Sequence, residues 1–318
     1  MNAARPVSVI VNRSSGSAAA AQPALEAALA RASIDATVTI VGGAEIQGAA
    51  ERAAASGHTL VAAGGDGTVS TIASVAIEHH RTFGVIPLGT LNHFARDAGI
   101  PADLDAAVDV LTSGRVVPLD AGTLNGRIFL NNASLGFYAR IVRERSAEQR
   151  RGRRKWFGFA IGLARAWIDY EAMTVRLTVD GTNLVRRTPF VFIGNGEYEA
   201  EGLDTGQRCS ADALQRGELS IYIAPECGRF ELLGLSIRAL TRTLTPHVKL
   251  ESFRAAHVVV DTAMRHPAAA LDGELVSTAA TLECRVMPAV LQTLLPAATS
   301  TVTRASAMQD DTRGGTDT

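Results

Sequence analysis

Two short strings place carboxylates where phosphate chemistry would use them. In "LVAAGGDGTVSTI", residues 60 to 72, Asp66 stands among Gly64, Gly65 and Gly67, directly after an apolar run. Glycine has no Cβ, so the backbone N–H groups of such a turn can approach phosphate oxygens and hydrogen-bond them. A carboxylate about 4 Å from a phosphate would be repelled by a few kcal/mol at an intermediate dielectric, and a divalent cation between them reverses the sign. Mg²⁺ commonly binds one or two carboxylates together with substrate phosphates, so Asp66 points to a Mg-nucleotide site; a plain Asp-Gly turn between strand and helix is the alternative. The second string, "LDGEL" at Leu271 to Leu275, carries Asp272 and Glu274 beside a β run. An alcohol is a poor nucleophile until a base takes its proton, and either carboxylate could be that base. Strand alternation would put both on one face, with Gly273 permitting a bend between them, although the same letters also spell an ordinary hairpin turn.

The segments around these strings set where they stand. "PVSVIVN", an Ala-rich stretch from Ala18 to Ala32, "DATVTI", "EIQGAAERAAAS" and "HTLVAA" alternate strand and helix signals, which predicts a parallel sheet covered by helices. After the glycine turn, "VSTIASVAIEHH" reads as a helix, "TFGVIPLG" as the next strand and turn, and "DLDAAVDVLTSG" as a helix ending at Gly114. Both glycine-containing turns, "GGDGT" and "PLGT", therefore follow a strand, where open α/β sheets place their ligand crevice. From about Val116 the pattern changes to short β-like runs: "RIFLNNASL", "MTVRLTVDG", "TPFVFIGN", "ELSIYIAP", "AHVVVDT" and "ATLECRVMP". They predict a second, mainly antiparallel domain, with helices after "ASLGF" and over "FELLGLSIRALTRTL". The Ser-, Thr-, Asp- and Gly-rich tail, 300–318, reads as disordered.

Composition removes other classes of function. A chain of 318 residues with 47% hydrophobic content can bury a full core, and its length suits two domains. The net charge of −1 and 5% aromatic content give no field or stacking platform for nucleic acid. Cys209, Cys227 and Cys284 lack metal-ligand spacing. The N-terminus lacks the apolar stretch of a signal peptide, and no apolar run of roughly 18 residues could span a bilayer, so a cytoplasmic protein is expected. Neither lysine, Lys155 nor Lys249, belongs to a GxxxxGK[ST] loop, so a nucleotide would be held another way.

Taken in order, "NRSSG" (Asn12 to Gly16), "GGDGT", "PLGTLNHFARDAGIP" (Pro87 to Pro101) and "LDGEL" resemble the diacylglycerol kinase catalytic family, in its bacterial soluble lipid-kinase branch. The resemblance runs from about Val7 to Pro296. It implies an α/β fold with an N-terminal parallel-sheet nucleotide-binding domain, 1–123 completed by 286–299, and a β-rich lipid-substrate domain, 124–285, with the active site in the cleft between them. It further implies an ATP- and Mg²⁺-dependent kinase acting on a lipid hydroxyl, with diacylglycerol the leading substrate and sphingoid or other lipid alcohols behind it. Asn12, Ser15, Gly16, Thr39, Gly64, Gly65, Asp66, Gly67, Thr68, Thr90 and Asn92 fall on nucleotide-side positions, with Asp66 toward the metal. Asp272 and Glu274 match the catalytic carboxylate pair. Two departures stand out: His93 occupies a position where most relatives carry aspartate, and Gln215, Arg216 and Gly217 replace an Asp-Asp-Gly that helps form a structural Mg²⁺ site in the family.

Residues 140–155, "RIVRERSAEQRRGRRK", hold eight Arg or Lys against two Glu and run into "WFGFAIGLARAW". Such a stretch could dock peripherally on an anionic inner membrane face, or be the solvated side of a helix leading into the core. The rival readings of the whole chain are an NAD kinase, which shares a "GGDGT" turn, and a catalytically silent lipid- or nucleotide-binding protein.

Overall fold

The computed structural model describes residues 6–15, 18–137, 139, 172–198, 211–228, 231, 250–264 and 267–297. Gly16, Cys209, the basic stretch at 140–155, the apolar segment after it, nearly all of the helix expected at 230–244 and the tail at 300–318 lie outside the described residues.

The first half alternates as its sequence dictates: β1 (Val7–Asn12), α1 (Ala18–Arg31), β2 (Ala36–Val41), α2 (Ile46–Ala55), β3 (Thr59–Gly64), α3 (Asp66–Glu78), β4 (Phe83–Pro87), α4 (His93–Asp97) and α5 (Leu104–Ser113). Strands follow as β5 (Arg115–Leu124), β6 (Arg127–Phe129), β7 (Asn132–Gly136), β8 (Met173–Val179), β9 (Thr182–Thr188), β10 (Phe190–Asn195) and β11 (Leu219–Ile223). The last are β12 (Glu251–Ala255), β13 (His257–Thr262), β14 (Ala269–Leu271), β15 (Glu274–Val276) and β16 (Thr281–Leu295).

Among the described residues these strands make two sheets. The larger runs β2-β1-β3-β4-β16-β13-β8-β9, parallel through its first four strands and antiparallel from β16 to β9. The smaller, β12-β11-β10-β7-β14-β15, is wholly antiparallel. β16 joins the two parts of the larger sheet: Thr293 pairs with Phe83 of β4, whereas Thr281 to Arg285 pair with β13.

Apolar spacing fixes which faces close. In α3, Val69, Ile72, Ala73, Ala76 and Ile77 recur at helical intervals and pack with Leu60, Ala62 and Phe83 of β3 and β4 in one core. α5 begins at an Asp103 cap, whose carboxylate accepts the Ala106 N–H at 3.0 Å. Inward-facing Val175, Leu177, Val258 and Val260 of the larger sheet meet Ala133, Leu135, Val191 and Ile193 of the smaller in a second core. Because α3 packs along β3, its N-terminus lies at the carboxyl end of that strand, beside the turn that ends β4.

The long β5–β16 pairing is interrupted between Met287 and Leu291, and Ala289 there has φ +54°. Asp120 of β5, 2% exposed, accepts the freed Ala289 N–H at 2.8 Å and the Gly217 N–H at 2.6 Å. Both of its oxygens are thus engaged beside Gly217, where the family resemblance implies an Asp-Asp-Gly. The residues present do not fit a structural Mg²⁺ there, and among the described residues no group of three or more His, Cys, Asp or Glu converges.

Candidate functional site

Three turns meet at the start of α3. Gly65, extended at φ −92° and ψ −177°, precedes the helix, and among the described residues no side chain caps its first N–H groups. Those amides, with the positive end of the helix dipole, form an anion-binding end. The turn after β4 lies directly against it: a Cβ built on Gly89 would come within 2.4 Å of Gly65 Cα, and one on Gly65 within 3.4 Å of Gly89 Cα. Only glycine at 89 lets the two backbones approach this closely. Asn92, left-handed at φ +49°, holds that turn by accepting the Gly89 N–H and donating to the Gly89 carbonyl, both at 3.0 Å.

The turn after β1 completes the cluster. Asn12 donates through Nδ2 to Thr68 Oγ1 at 2.9 Å, while Ser15 Oγ accepts the Gly65 N–H at 3.4 Å. Asn12, Ser15, Gly64, Gly65, Asp66, Gly67, Thr68 and Asn92 therefore gather in one place, though the Asn12 and Asn92 amides are used to shape the turns. Asp66, the first residue of α3, is half-buried, and its Oδ1 accepts the Phe94 N–H at 3.3 Å. Thr90 is exposed on the β4–α4 turn. Thr39 lies within β2 opposite Ile10, two residues before Val41 pairs with Asn12, and is set back from the cluster. His93 opens α4, with Nδ1 3.2 Å from Nη2 of Arg96.

The carboxylate pair reaches this cluster from the smaller sheet, and its arrangement corrects the strand-alternation expectation. Asp272 (φ +46°) and Gly273 (φ +78°) are the two residues of the β14–β15 hairpin loop, with Leu271 and Glu274 paired across it. Two positive φ values in a two-residue loop are the type I′ pattern, and an Asp-Gly pair suits it. The side chains consequently part. Asp272 folds back, its Oδ1 accepting the N–H groups of Asn131 (2.8 Å) and Asn132 (3.0 Å), and its Oδ2 those of Leu130 (2.9 Å) and the Ser70 hydroxyl (2.5 Å). Burial pushes this carboxyl above its ordinary range, against the pull of the serine and the three amides. Glu274, exposed, leans the other way over α3: a Cβ on Gly67 would lie 2.5 Å from its Oε1. The glycine at 67 makes room for this carboxylate beside Asp66.

Sequence reading missed three participants. "RIFLNNASL" reads as one strand, but it breaks at Leu130–Asn131, and that break presents the three amides to Asp272. Asp120, a lone acid inside the apolar run of β5, carried a readable signal, since such residues are buried only when paired. Ser70 carried none, because a serine on a helix is ordinarily a surface residue.

Comparison with known proteins agrees with this architecture. Residues 6–124 match the model of the diacylglycerol kinase catalytic domain, and residues 132–295 that of the YegS C-terminal NAD kinase beta sandwich-like domain. A Pseudomonas aeruginosa protein named "Probable lipid kinase YegS-like" is 41% identical over 186 residues, covering 55% of this chain and 57% of that protein. A Staphylococcus carnosus protein named "Diacylglycerol kinase" is 40% identical over 91 residues, 28% of this chain and 30% of that one. The crystal structure of a diacylglycerol kinase from Bacillus anthracis superposes with a TM-score of 0.66 at 18% identity, covering 93% of this chain and 98% of that chain. At that identity the likeness establishes the shared fold.

Proposed function

Because the chain belongs to the diacylglycerol kinase catalytic family and carries the C-terminal domain of its YegS-like members, we propose that it transfers the γ-phosphoryl group of ATP to a lipid hydroxyl, with diacylglycerol as the leading acceptor. The observation that carries this reading is the placement of Glu274, on a hairpin of the smaller sheet, directly over Gly67, the residue after Asp66 at the uncapped start of α3. A phosphate on the Gly65–Thr68 amides and an acceptor alcohol at Glu274 would then stand together, and phosphoryl transfer is mainly a matter of such alignment and charge neutralisation.

The residues fit a metal that arrives with the nucleotide. Asp66, the first residue of α3, supplies a carboxylate, which matches the one or two protein ligands Mg²⁺ usually takes beside phosphates. When bound, the ion would neutralise phosphate charge, with Asp66 as its holding residue. Proton removal falls to Glu274, whose carboxylate is exposed, whereas Asp272 has four donors on its two oxygens and no free approach for an alcohol. Among the described residues no helix is long and apolar enough to cross a membrane.

The direct test is ATP-dependent phosphate incorporation into diacylglycerol, into a sphingoid base and into NAD by the purified chain. Label in a lipid supports the reading. Label in NAD alone, or in none of the three, removes it. Two variants probe the site further. Asp66→Asn keeps the shape but removes the charge that makes a bridging cation favourable, so the MgATP Kd should rise about tenfold, measured by calorimetry at several Mg²⁺ concentrations. In Gly67→Ala the new methyl meets the far end of a flexible side chain, so Glu274 swings away while the fold is kept. Helix propensity should hold stability level or raise it by up to about 1 kcal/mol. kcat should nevertheless fall about tenfold or more, and a Gly67→Ala protein with unaltered kcat would separate Glu274 from the reaction.

A further inference from the structure

α3 carries several hydroxyls, and two of them behave as helix hydroxyls usually do. Thr71 Oγ1 donates to the Gly67 carbonyl at 2.8 Å and Ser74 Oγ to the Ser70 carbonyl at 2.9 Å, each four residues back. Ser70 Oγ instead leaves its helix and donates to Asp272 Oδ2, 202 residues further along the chain. A hydroxyl donating to a carboxylate makes a charge-assisted bond, of the stronger kind.

The four donors to Asp272 divide unequally between the two parts of the molecule. Leu130, Asn131 and Asn132 lead into β7, which is itself paired with β14, so their amides hold the carboxylate within the smaller sheet. Ser70 is the donor that comes from the helix whose first turn would receive the phosphate. Gly67 and Ser70 are three residues apart and share a helix face. The hairpin therefore meets α3 at two adjacent points: Glu274 against Gly67, which is close packing without a bond, and Asp272 on Ser70, which is a bond.

We infer that Ser70 is a positioning residue for phosphoryl transfer: its hydroxyl ties the Asp272 turn to α3 and thereby seats Glu274 over Gly67. The inference rests on the kinase reading for its catalytic consequence, while the tie itself is a matter of structure. Without the hydroxyl, the three amides still hold Asp272 in its own sheet and the fold survives, but the hairpin tip is free to move away from α3. A displacement of about 1 Å in an aligned site can cost up to 10²-fold, and a partial loss of seating should cost about tenfold.

The test compares the full-length chain with Ser70→Ala and Ser70→Thr. In Ser70→Ala, kcat with ATP and diacylglycerol in mixed micelles should fall about tenfold, with the KM for ATP within about twofold of wild type. Ser70→Thr, which keeps a hydroxyl, should recover most of the loss. Amide hydrogen exchange without substrate supplies the second readout: the amides of Glu274, Leu275 and Val276 should exchange faster in Ser70→Ala, with those of Ile72 to Ile77 unchanged. Unchanged hairpin exchange overturns the tie, whether or not the wild-type chain phosphorylates lipid. Faster hairpin exchange with wild-type kcat overturns the positioning role. A wild-type chain that phosphorylates no lipid removes the kinase reading and with it the catalytic consequence, leaving the exchange comparison to decide the tie.

Discussion

Glu274→Gln should lower kcat for lipid phosphorylation by about 10²-fold or more while leaving the MgATP Kd within a few fold of wild type, the usual scale for a lost general base. The split is expected because the nucleotide-side groups belong to the turns around α3, whereas Glu274 arrives on the β14–β15 hairpin. Asp272→Asn should behave differently. An amide nitrogen would face backbone N–H groups that Asp272 now satisfies, so the variant should lose about 1–3 kcal/mol of stability, seen as a lower melting temperature, and its folded fraction should lose no more activity than Ser70→Ala, which weakens the same tie to α3. Melting curves recorded beside the kinetics separate the two carboxylates. A folded Glu274→Gln protein with normal turnover would sink the assignment of the base, and a fully stable Asp272→Asn that falls about 10²-fold or more, well beyond Ser70→Ala, would move that role to Asp272.

The parts of this molecule that the sequence discloses are those governed by local rules. Helical periodicity in "VSTIASVAIEHH", the helix of "DLDAAVDVLTSG" ending at Gly114 and the glycine turns after β3 and β4 each depend on a few neighbouring residues, and each is found in the structure. The exposed strand β9, "TNLVRRT", gave no signal because its polar alternation resembles a loop, and its pairing comes from β8 across a two-residue turn. The full length of β16 was hidden for a related reason: Pro288 reads as a strand end, yet a bulge at Ala289 carries the pairing on to Leu295. In the candidate site, the glycines and carboxylates were legible as residue types. Their division of labour was not, because it follows from a hairpin turn that sends Asp272 toward residues 130–132 and Glu274 toward Gly67, contacts 140 or more residues apart in sequence.

The glycines at 65 and 89 should give the second large effect, and they should give it by different routes. In Gly89→Ala the new Cβ would meet Gly65 Cα at 2.4 Å and Asn92 Oδ1 at 2.7 Å. Backbone cannot yield as a side-chain end does, so the two turns must separate. Such overpacking costs about 1–3 kcal/mol, and the melting temperature should drop. In Gly65→Val the Cβ meets Gly89 Cα at 3.4 Å, so the fold bears it with little loss, but the branched side chain stands at the uncapped start of α3 where phosphate would sit. MgATP affinity should fall by about 10²-fold in both variants, about 2.7 kcal/mol of binding, through a displaced turn in one and a blocked surface in the other. Calorimetric titration with MgATP reads the affinity, and thermal melting without nucleotide reads the fold. Gly65→Val with near-normal affinity would return "GGDGT" to a plain strand-to-helix turn. Were Gly89→Ala to melt like wild type and bind normally, the close approach of the two turns would not be what shapes the phosphate site, and the uncapped amides of α3 would have to account for nucleotide binding alone.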